Sequence, residues 1–274
     1  MSNLDKSFLD AKCKEIRRLL IQELGSIGSG HAGGCLSIVE ALVVLQYQVM
    51  QGTDPANPKA EGRDRLVISK GHAGPALYAI LADRGFFPKE ELATLNAPNT
   101  NLPSHCDMNR TPGVDMTAGS LGQGISCAVG LAMGSKLKKD GATIYAVVGD
   151  GESQEGQVWE SAMIANQYKL NNLIAFTDYN KLQIDGPVAE VSTLEPIMDK
   201  WAAFGWNVLN VVDGNDVEQI YDAIQCAKHS DKPSMIILNT VKGKGISSIE
   251  KLGAGCHHMV VTPELVAEAL QELA

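Results

Sequence analysis

The sequence predicts an α/β fold, a doubly wound, mostly parallel sheet flanked by helices. Three observations carry that expectation. From residue 143 onward, short runs rich in valine and isoleucine alternate with segments of helical spacing. Those runs are apolar at consecutive positions, as strands buried on both faces are. No internal repeat or low-complexity linker interrupts the alternation, so residues 1–274 are expected to form one domain.

In the first third, Ile16, Leu19, Leu20 and Leu24 recur at helical spacing, and Leu36 to Met50 reads as a second apolar helix. Between them, Gly25-Ser26-Ile27-Gly28-Ser29-Gly30-His31-Ala32-Gly33-Gly34 carries too much glycine to continue either helix. Pro55, Asn57, Pro58 and Gly62 mark a loop before the apolar stretch Leu66-Val67-Ile68. Thr143 to Val148 reads as a strand, Glu155 to Tyr168 as a helix, and Leu173 to Thr177 as the next strand. A helix follows around Leu194 to Phe204, then a third strand at Val208 to Val212 and a helix that Asn215 could cap. Met235 to Leu238 is the fourth strand. Thr262-Pro263-Glu264 supplies a cap, a first-turn proline and an acidic first turn for a last helix, with Leu265, Ala269 and Leu270 on one face.

Apolar residues make up 45% of the chain and charged residues 20%, which suits a packed globule and excludes long disordered tracts. A net charge of −9 argues against nucleic acid or an anionic membrane as partner, since either needs a basic face. The runs Ala41–Leu45 and Ile144–Val148 are too short to cross a bilayer. Residues 1–18 bring charges before any apolar core, so no secretory leader is expected. The six cysteines, at 13, 35, 106, 127, 226 and 256, form no CxxC pair and read as reduced thiols of a cytoplasmic protein. His105-Cys106 and Cys256-His257-His258 lack the paired spacing of a zinc site. Lys136-Leu137-Lys138-Lys139 reads as a solvated last helical turn, favoured by the helix dipole.

In an open parallel sheet, ligands bind beyond the carboxyl ends of the strands. Three strands here run into polar sequences: Gly149-Asp150-Gly151, Asp178-Tyr179-Asn180-Lys181-Leu182, and Thr240-Val241-Lys242-Gly243-Lys244-Gly245. An acid, an amide and a lysine on one rim suit a hard cation and a phosphate. Asp150, the Asn180 carboxamide and the Leu182 carbonyl offer the oxygen ligands that Mg2+ takes alongside substrate phosphates. Glycines beside Asp150 let backbone N–H groups approach phosphate oxygens. Taken alone, Gly149-Asp150-Gly151 is equally well an ordinary tight turn. Gly28-x-Gly30-x-x-Gly33 matches the dinucleotide fingerprint, but it follows a helix instead of a strand and is discounted.

The block from Gly149 to Asn180, opening on Gly-Asp-Gly and closing on asparagine, resembles the thiamine-diphosphate motif. Ser29-Gly30-His31, Ser69-Lys70-Gly71-His72-Ala73 and Thr117-Ala118-Gly119-Ser120-Leu121-Gly122-Gln123-Gly124 resemble successive motifs of the transketolase family, in the same order. Ala32 stands where that family usually has proline, and the loop from His105 to Gly119 diverges from it. The resemblance implies thiamine diphosphate as cofactor, with Mg2+ (replaceable by Ca2+ or Mn2+) on Asp150, Asn180 and the Leu182 carbonyl. It implies His72, Gly151, Lys242 and His257, or the adjacent His258, around the diphosphate, and Gly119, Leu121 and Ile184 against the cofactor rings. It implies His31 and His105, with His72 and His257, as the catalytic histidines, and Glu155 at a subunit interface.

In that family a glutamate that activates the aminopyrimidine lies in a second, pyrimidine-binding domain. The resemblance covers only the first section, which implies the N-terminal subunit of a split transketolase. Such a chain would transfer a two-carbon ketol unit from a ketose or its phosphate to an aldose or its phosphate, as in the pentose phosphate pathway. It would act only with a C-terminal subunit on a separate chain, in a two-plus-two heterotetramer. The alternatives are the equivalent subunit of a 2-oxo-acid dehydrogenase or deoxyxylulose-phosphate synthase, or a noncatalytic partner retaining the fold.

Overall fold

The computed structural model describes residues 4–274. Its centre is a five-stranded parallel sheet of β1 (Arg65–Ile68), β2 (Ile144–Gly149), β3 (Leu173–Asp178), β4 (Asn207–Val211) and β5 (Ser234–Leu238), in the spatial order β1-β2-β3-β5-β4. Side chains alternate between two cores, as the period of two along a strand requires. Tyr145, Val147, Ile174, Phe176, Ile236 and Leu238 face one core, and Ile144, Ala146, Val148, Ala175, Met235 and Ile237 the other. Four strands are buried throughout or nearly so. The expectation of burial on both faces fails for β4, an edge strand that is mostly half-exposed.

The helices sort by crossover direction. The steps β2→β3→β4 run outward in one sense, so α6 (Gly156–Gln167) and α7 (Ile197–Ala203) lie with α5 (Gln123–Lys138) on one face. The step from β4 back to β5 runs inward. A right-handed connection then places α8 (Val217–Lys228) on the opposite face, with α1 (Lys6–Ile27), α3 (Val39–Val44) and α4 (Gly74–Asp83). The carboxyl-terminal helix α9 (Pro263–Glu272) packs on α1, with Thr262 accepting the N–H of Leu265 as its cap.

Three further sequence expectations need correction. The first helix continues through Gly25 and Ser26 to Ile27 and stops at Gly28, which takes the left-handed conformation at φ 79° and donates its N–H to the Leu24 carbonyl. The glycine-rich segment also holds a short helix, α2 (Ala32–Leu36). Its glycines serve close approach, since a Cβ on Gly33 would lie 2.8 Å from the Cys256 carbonyl oxygen. Leu36 to Met50 is not one helix. It breaks at Ser37-Ile38, where the Ser37 hydroxyl donates to Asp178 at 2.7 Å, and it widens to a π-helical turn at Leu45–Val49.

The third correction concerns the cap of α8. Asp216 accepts the N–H groups of Glu218 and Gln219 at 2.8 and 3.1 Å. Asn215 instead bridges distant chain, donating to the Ser37 carbonyl and the Glu40 carboxylate and accepting from the Val241 N–H. Asp216→Ala is therefore expected to lower stability by about 1 kcal/mol through loss of the cap. Urea denaturation checks this, and an unchanged midpoint would contradict it.

Candidate active site

The register sets the site. Gly149, Asp178 and Leu238 lie side by side at the carboxyl ends of β2, β3 and β5, so the polar segments after them leave the sheet as neighbours. They line a cleft of about 440 Å³. Asp150, Gly151, Asn180, Leu182, Ile184 and Lys242 come from these three strand ends. His72 arrives from the turn after β1, and His105, Gly119 and Leu121 from the loop before α5. Glu155 stands at the rim. Every candidate site residue named in the sequence, His258 excepted, thus meets in one cleft. His258 does not line it and packs behind His31 instead.

At the floor is a buried carboxylate. Asp178 pairs with the Lys70 ammonium at 2.5 Å, and accepts from the hydroxyls of Ser37 and Thr240 and from the Asn180 carboxamide. Burial works to raise its pKa, but Lys70 and the two hydroxyls outweigh it and hold the carboxyl below its ordinary value. Lys70 also donates to the Gly34 carbonyl at 2.7 Å. Beside it, Glu152 accepts the N–H groups of Gly149 and Gly122, each at 2.9 Å, and the Ser69 hydroxyl, which locks the turn after β2. Lys70, Glu152 and Asp178 were given no role from sequence. The only signals were Lys70 inside Ser69-Lys70-Gly71-His72-Ala73 and the acids flanking Asp150 and Asn180.

Above this floor, five of the six histidines cluster, four of them around His31. Its ring centroid lies 5.2 Å from His72, 5.9 Å from His105, 5.5 Å from His257 and 4.8 Å from His258. The cause is local. Ser29–Gly30 pairs antiparallel with Met259–Val260, which draws the segment before His31 against the one after His258. Burial, then the neighbouring histidines and Lys242, push His31 down to about 4. Burial, then Lys242 and Lys70, do the same to His257. His72 is lowered further, by burial and Lys70, and His105 is lowered by burial. These rings stand neutral at physiological pH, each able to accept at one nitrogen and donate at the other.

The oxygen set fits a hard cation. Asp150 accepts the N–H groups of Gly151 at 2.7 Å and Lys181 at 2.6 Å, which aims its carboxylate between the two strand ends. Burial, then the Asp178 charge, push its carboxyl up to about 7, the mark of a buried acid short of positive charge. The Lys242 ammonium reaches the Leu182 carbonyl at 2.7 Å, so a cation already sits on one of the three oxygens. Among the described residues, no group of three His, Cys, Asp or Glu side chains is placed to hold a metal. A cation here would use one carboxylate, one carboxamide, one carbonyl and the oxygens of a phosphate.

Residues 9–272 match the family model described as transketolase, thiamine diphosphate binding domain. The chain belongs to the transketolase family. It is 54% identical over 267 residues to the 6-deoxy-6-sulfo-D-fructose transketolase subunit of Clostridium sp., covering 97% of this chain and 96% of that protein. It is 39% identical to one subunit of the apulose-4-phosphate transketolase of Phocaeicola vulgatus, covering 97% and 94%. Among solved structures, Campylobacter jejuni transketolase superposes with a TM-score of 0.90 at 32% identity over 98% of this chain. The chain spans only 43% of that transketolase. Thiamine diphosphate binding thus belongs to the domain this transketolase-family chain contains, and a strand-end cleft lined by acid, amide and lysine is consistent with it.

The histidine cluster makes a prediction about pH. In the cofactor-free chain, His31 and His257 should stay neutral down to about pH 4, whereas in the unfolded chain they protonate near 6.5. The unfolded state then takes up protons first as pH falls. The two rings contribute stability that is present above about pH 6.5 and lost progressively toward pH 4. An NMR titration of the ring carbons tests this directly. A midpoint at or above 6.5 for both rings would refute it.

Proposed function

We propose that this chain is the diphosphate-binding subunit of a split transketolase. With a separate C-terminal subunit that carries the pyrimidine-binding glutamate, it transfers a two-carbon ketol unit from a ketose to an aldose. The observation that carries this reading is the meeting of Asp150, Asn180, Leu182 and Lys242 beneath four histidines in one cleft. The separate partner is supported by relatives named as subunits, which align along 96% and 94% of their own lengths. We take the chain to be one domain, working in a two-plus-two assembly, and cytoplasmic, in keeping with its six unpaired cysteines.

When bound, thiamine diphosphate supplies the nucleophilic carbon that takes up the ketol unit. Asp150, Asn180 and the Leu182 carbonyl would hold Mg2+, which Ca2+ or Mn2+ could replace, while His72, Gly151, Lys242 and His257 would bind the diphosphate. Gly119, Leu121 and Ile184 would contact the rings. Leu121 and Ile184 are 37% and 64% exposed, apolar surface that the partner would cover to exclude water, with Glu155 beside the same contact. His31 and His105, neutral through burial, would accept and return protons at the sugar hydroxyls. The donor we favour is a ketose ending in a sulfonate, because the relative at 54% identity is named for 6-deoxy-6-sulfo-D-fructose. Apulose 4-phosphate and other ketose phosphates are the next donors to test.

Ketol transfer with the chain, a candidate partner, Mg2+, thiamine diphosphate, each donor and an aldose acceptor tests the reading. Turnover is expected only with both polypeptides, and His31→Ala or His72→Ala should reduce it far more than they lower the melting temperature. His229, exposed at the end of α8, should tolerate alanine. Robust turnover by this chain alone would overturn the split-enzyme reading.

A second prediction concerns the cation. Asp150→Ala and Asn180→Ala should each weaken Mg2+-dependent thiamine diphosphate binding by at least about tenfold, with the circular dichroism unchanged. Unchanged affinity in both folded variants would remove the metal assignment.

A further inference from the structure

A second cavity, of about 520 Å³, opens at the other end of the sheet. Arg65 begins β1, whose far end leads through Ser69 and Lys70 into the catalytic cleft, so the two cavities lie at opposite ends of one strand. At about 3.3 Å per residue, that strand separates them by roughly 13 Å. The cavity's lining is basic in a chain of net charge −9: Lys59, Arg63, Arg65 and Arg110 against a single carboxylate, Asp115.

The four cations are not equally committed. Arg63 is buried, pairs with Asp115 and donates to the Asp64 carbonyl, while its Nε is buried with no hydrogen-bond partner. Arg110 has only a loose ion pair with Asp107, at 3.8 Å, and a long hydrogen bond to the Thr100 carbonyl. Among the described residues, the side chains of Lys59 and Arg65 make no hydrogen bond or ion pair. The Arg65 charge reaches Asp140 only through space. Asp115, in turn, is held by Arg63 and by the Leu66 N–H at 2.8 Å, so it is not free to neutralise the others. A purely structural role would leave these cations paired or dispersed. Here two uncommitted ones and a weakly paired third converge on an open cavity.

We propose that this cavity binds the tetrahedral oxyanion of a small metabolite, a phosphate ester or a sulfonate. Lys59, Arg65 and Arg110 would donate charge-assisted hydrogen bonds to it, and Arg63 with Asp115 would form the fixed floor. Guanidinium groups suit such an anion because their planar donors match two of its oxygens at once. The loop that walls the cavity at Met108–Asp115 is the one whose ends bring His105 and Gly119 into the catalytic cleft. An anion seated there holds a segment that both cavities share.

The test is NMR titration of the intact chain with inorganic phosphate, with methanesulfonate, and with glycerol as the neutral control. Saturable amide shifts at residues 108–115 are expected with one or both anions and not with glycerol, and the tighter anion identifies the ligand class. Lys59→Gln and Arg65→Gln should each weaken this response about tenfold, as loss of one charge-assisted hydrogen bond implies. Shifts at Gly151 and Gln183, which report phosphate in the catalytic cleft, should be the same in variants and wild type. Lys59→Gln, at an exposed loop position, keeps the test free of folding effects. Shifts confined to the catalytic cleft, or a response at 108–115 that both variants leave unchanged, would overturn the proposal.

Discussion

The buried carboxylate of Asp178 is the constraint around which the cleft is built. It ends the central strand β3, and it draws one group from each neighbouring segment. Lys70 comes from the turn after β1, Ser37 from the break between α2 and α3, Thr240 from the end of β5, and Asn180 from its own strand end. A carboxylate stripped of water is costly unless paired and hydrogen-bonded, and removing one partner from such a pair costs about 3–5 kcal/mol. That penalty makes the four segments interdependent. Lys70 cannot leave Asp178 without also releasing Gly34, whose segment carries His31.

The charge left over after this pairing defines what the cleft wants. Asp178 is neutralised by Lys70, but Asp150 has only backbone N–H groups for partners and is pushed toward the neutral acid. The four histidines that line the cleft cannot supply compensating charge. Packed ring against ring and partly buried, the innermost of them are driven to the neutral form. The result is an acid-and-oxygen corner open to a divalent cation beside a lysine and neutral imidazoles open to an anion. A diphosphate carrying a divalent cation would satisfy both at once.

Much of this was legible in the sequence. Strands were recoverable because β2, β3 and β5 are buried on both faces and read as apolar runs. The edge strand β4 still carries Val208, Leu209 and Val211, while Leu66-Val67-Ile68, read only as an apolar stretch, proves to lie in β1. Asp150, Asn180, Leu182 and Lys242 were recoverable because they follow strand ends, where glycine, acid and amide interrupt an apolar run, whereas the histidines, Gly119, Leu121, Ile184 and Glu155 rested on the resemblance to the family's motifs. The errors fell where one residue type serves two purposes. Gly33 looked like a helix breaker but lies inside α2 and answers the close approach of the Cys256 loop. Asn215 looked like a cap, yet its neighbour Asp216 caps α8 while Asn215 ties together three distant segments.

By itself the sequence determined the α/β alternation, the polar strand ends and the order of the histidine-bearing segments, because each is a local pattern of residue type and spacing. The tertiary structure alone decided which strand ends become neighbours. The order β1-β2-β3-β5-β4 sets β5 beside β3 and sends β4 to the edge, so Lys242 meets Asp150 and Asn180 although β4 and α8 intervene in the chain. It also decided that Lys70 and Asp178 form the floor, and that Lys59, Arg65 and Arg110 converge on a second cavity. Pairings of this kind join residues far apart in the chain, and no spacing or periodicity encodes a contact that only the packed sheet creates.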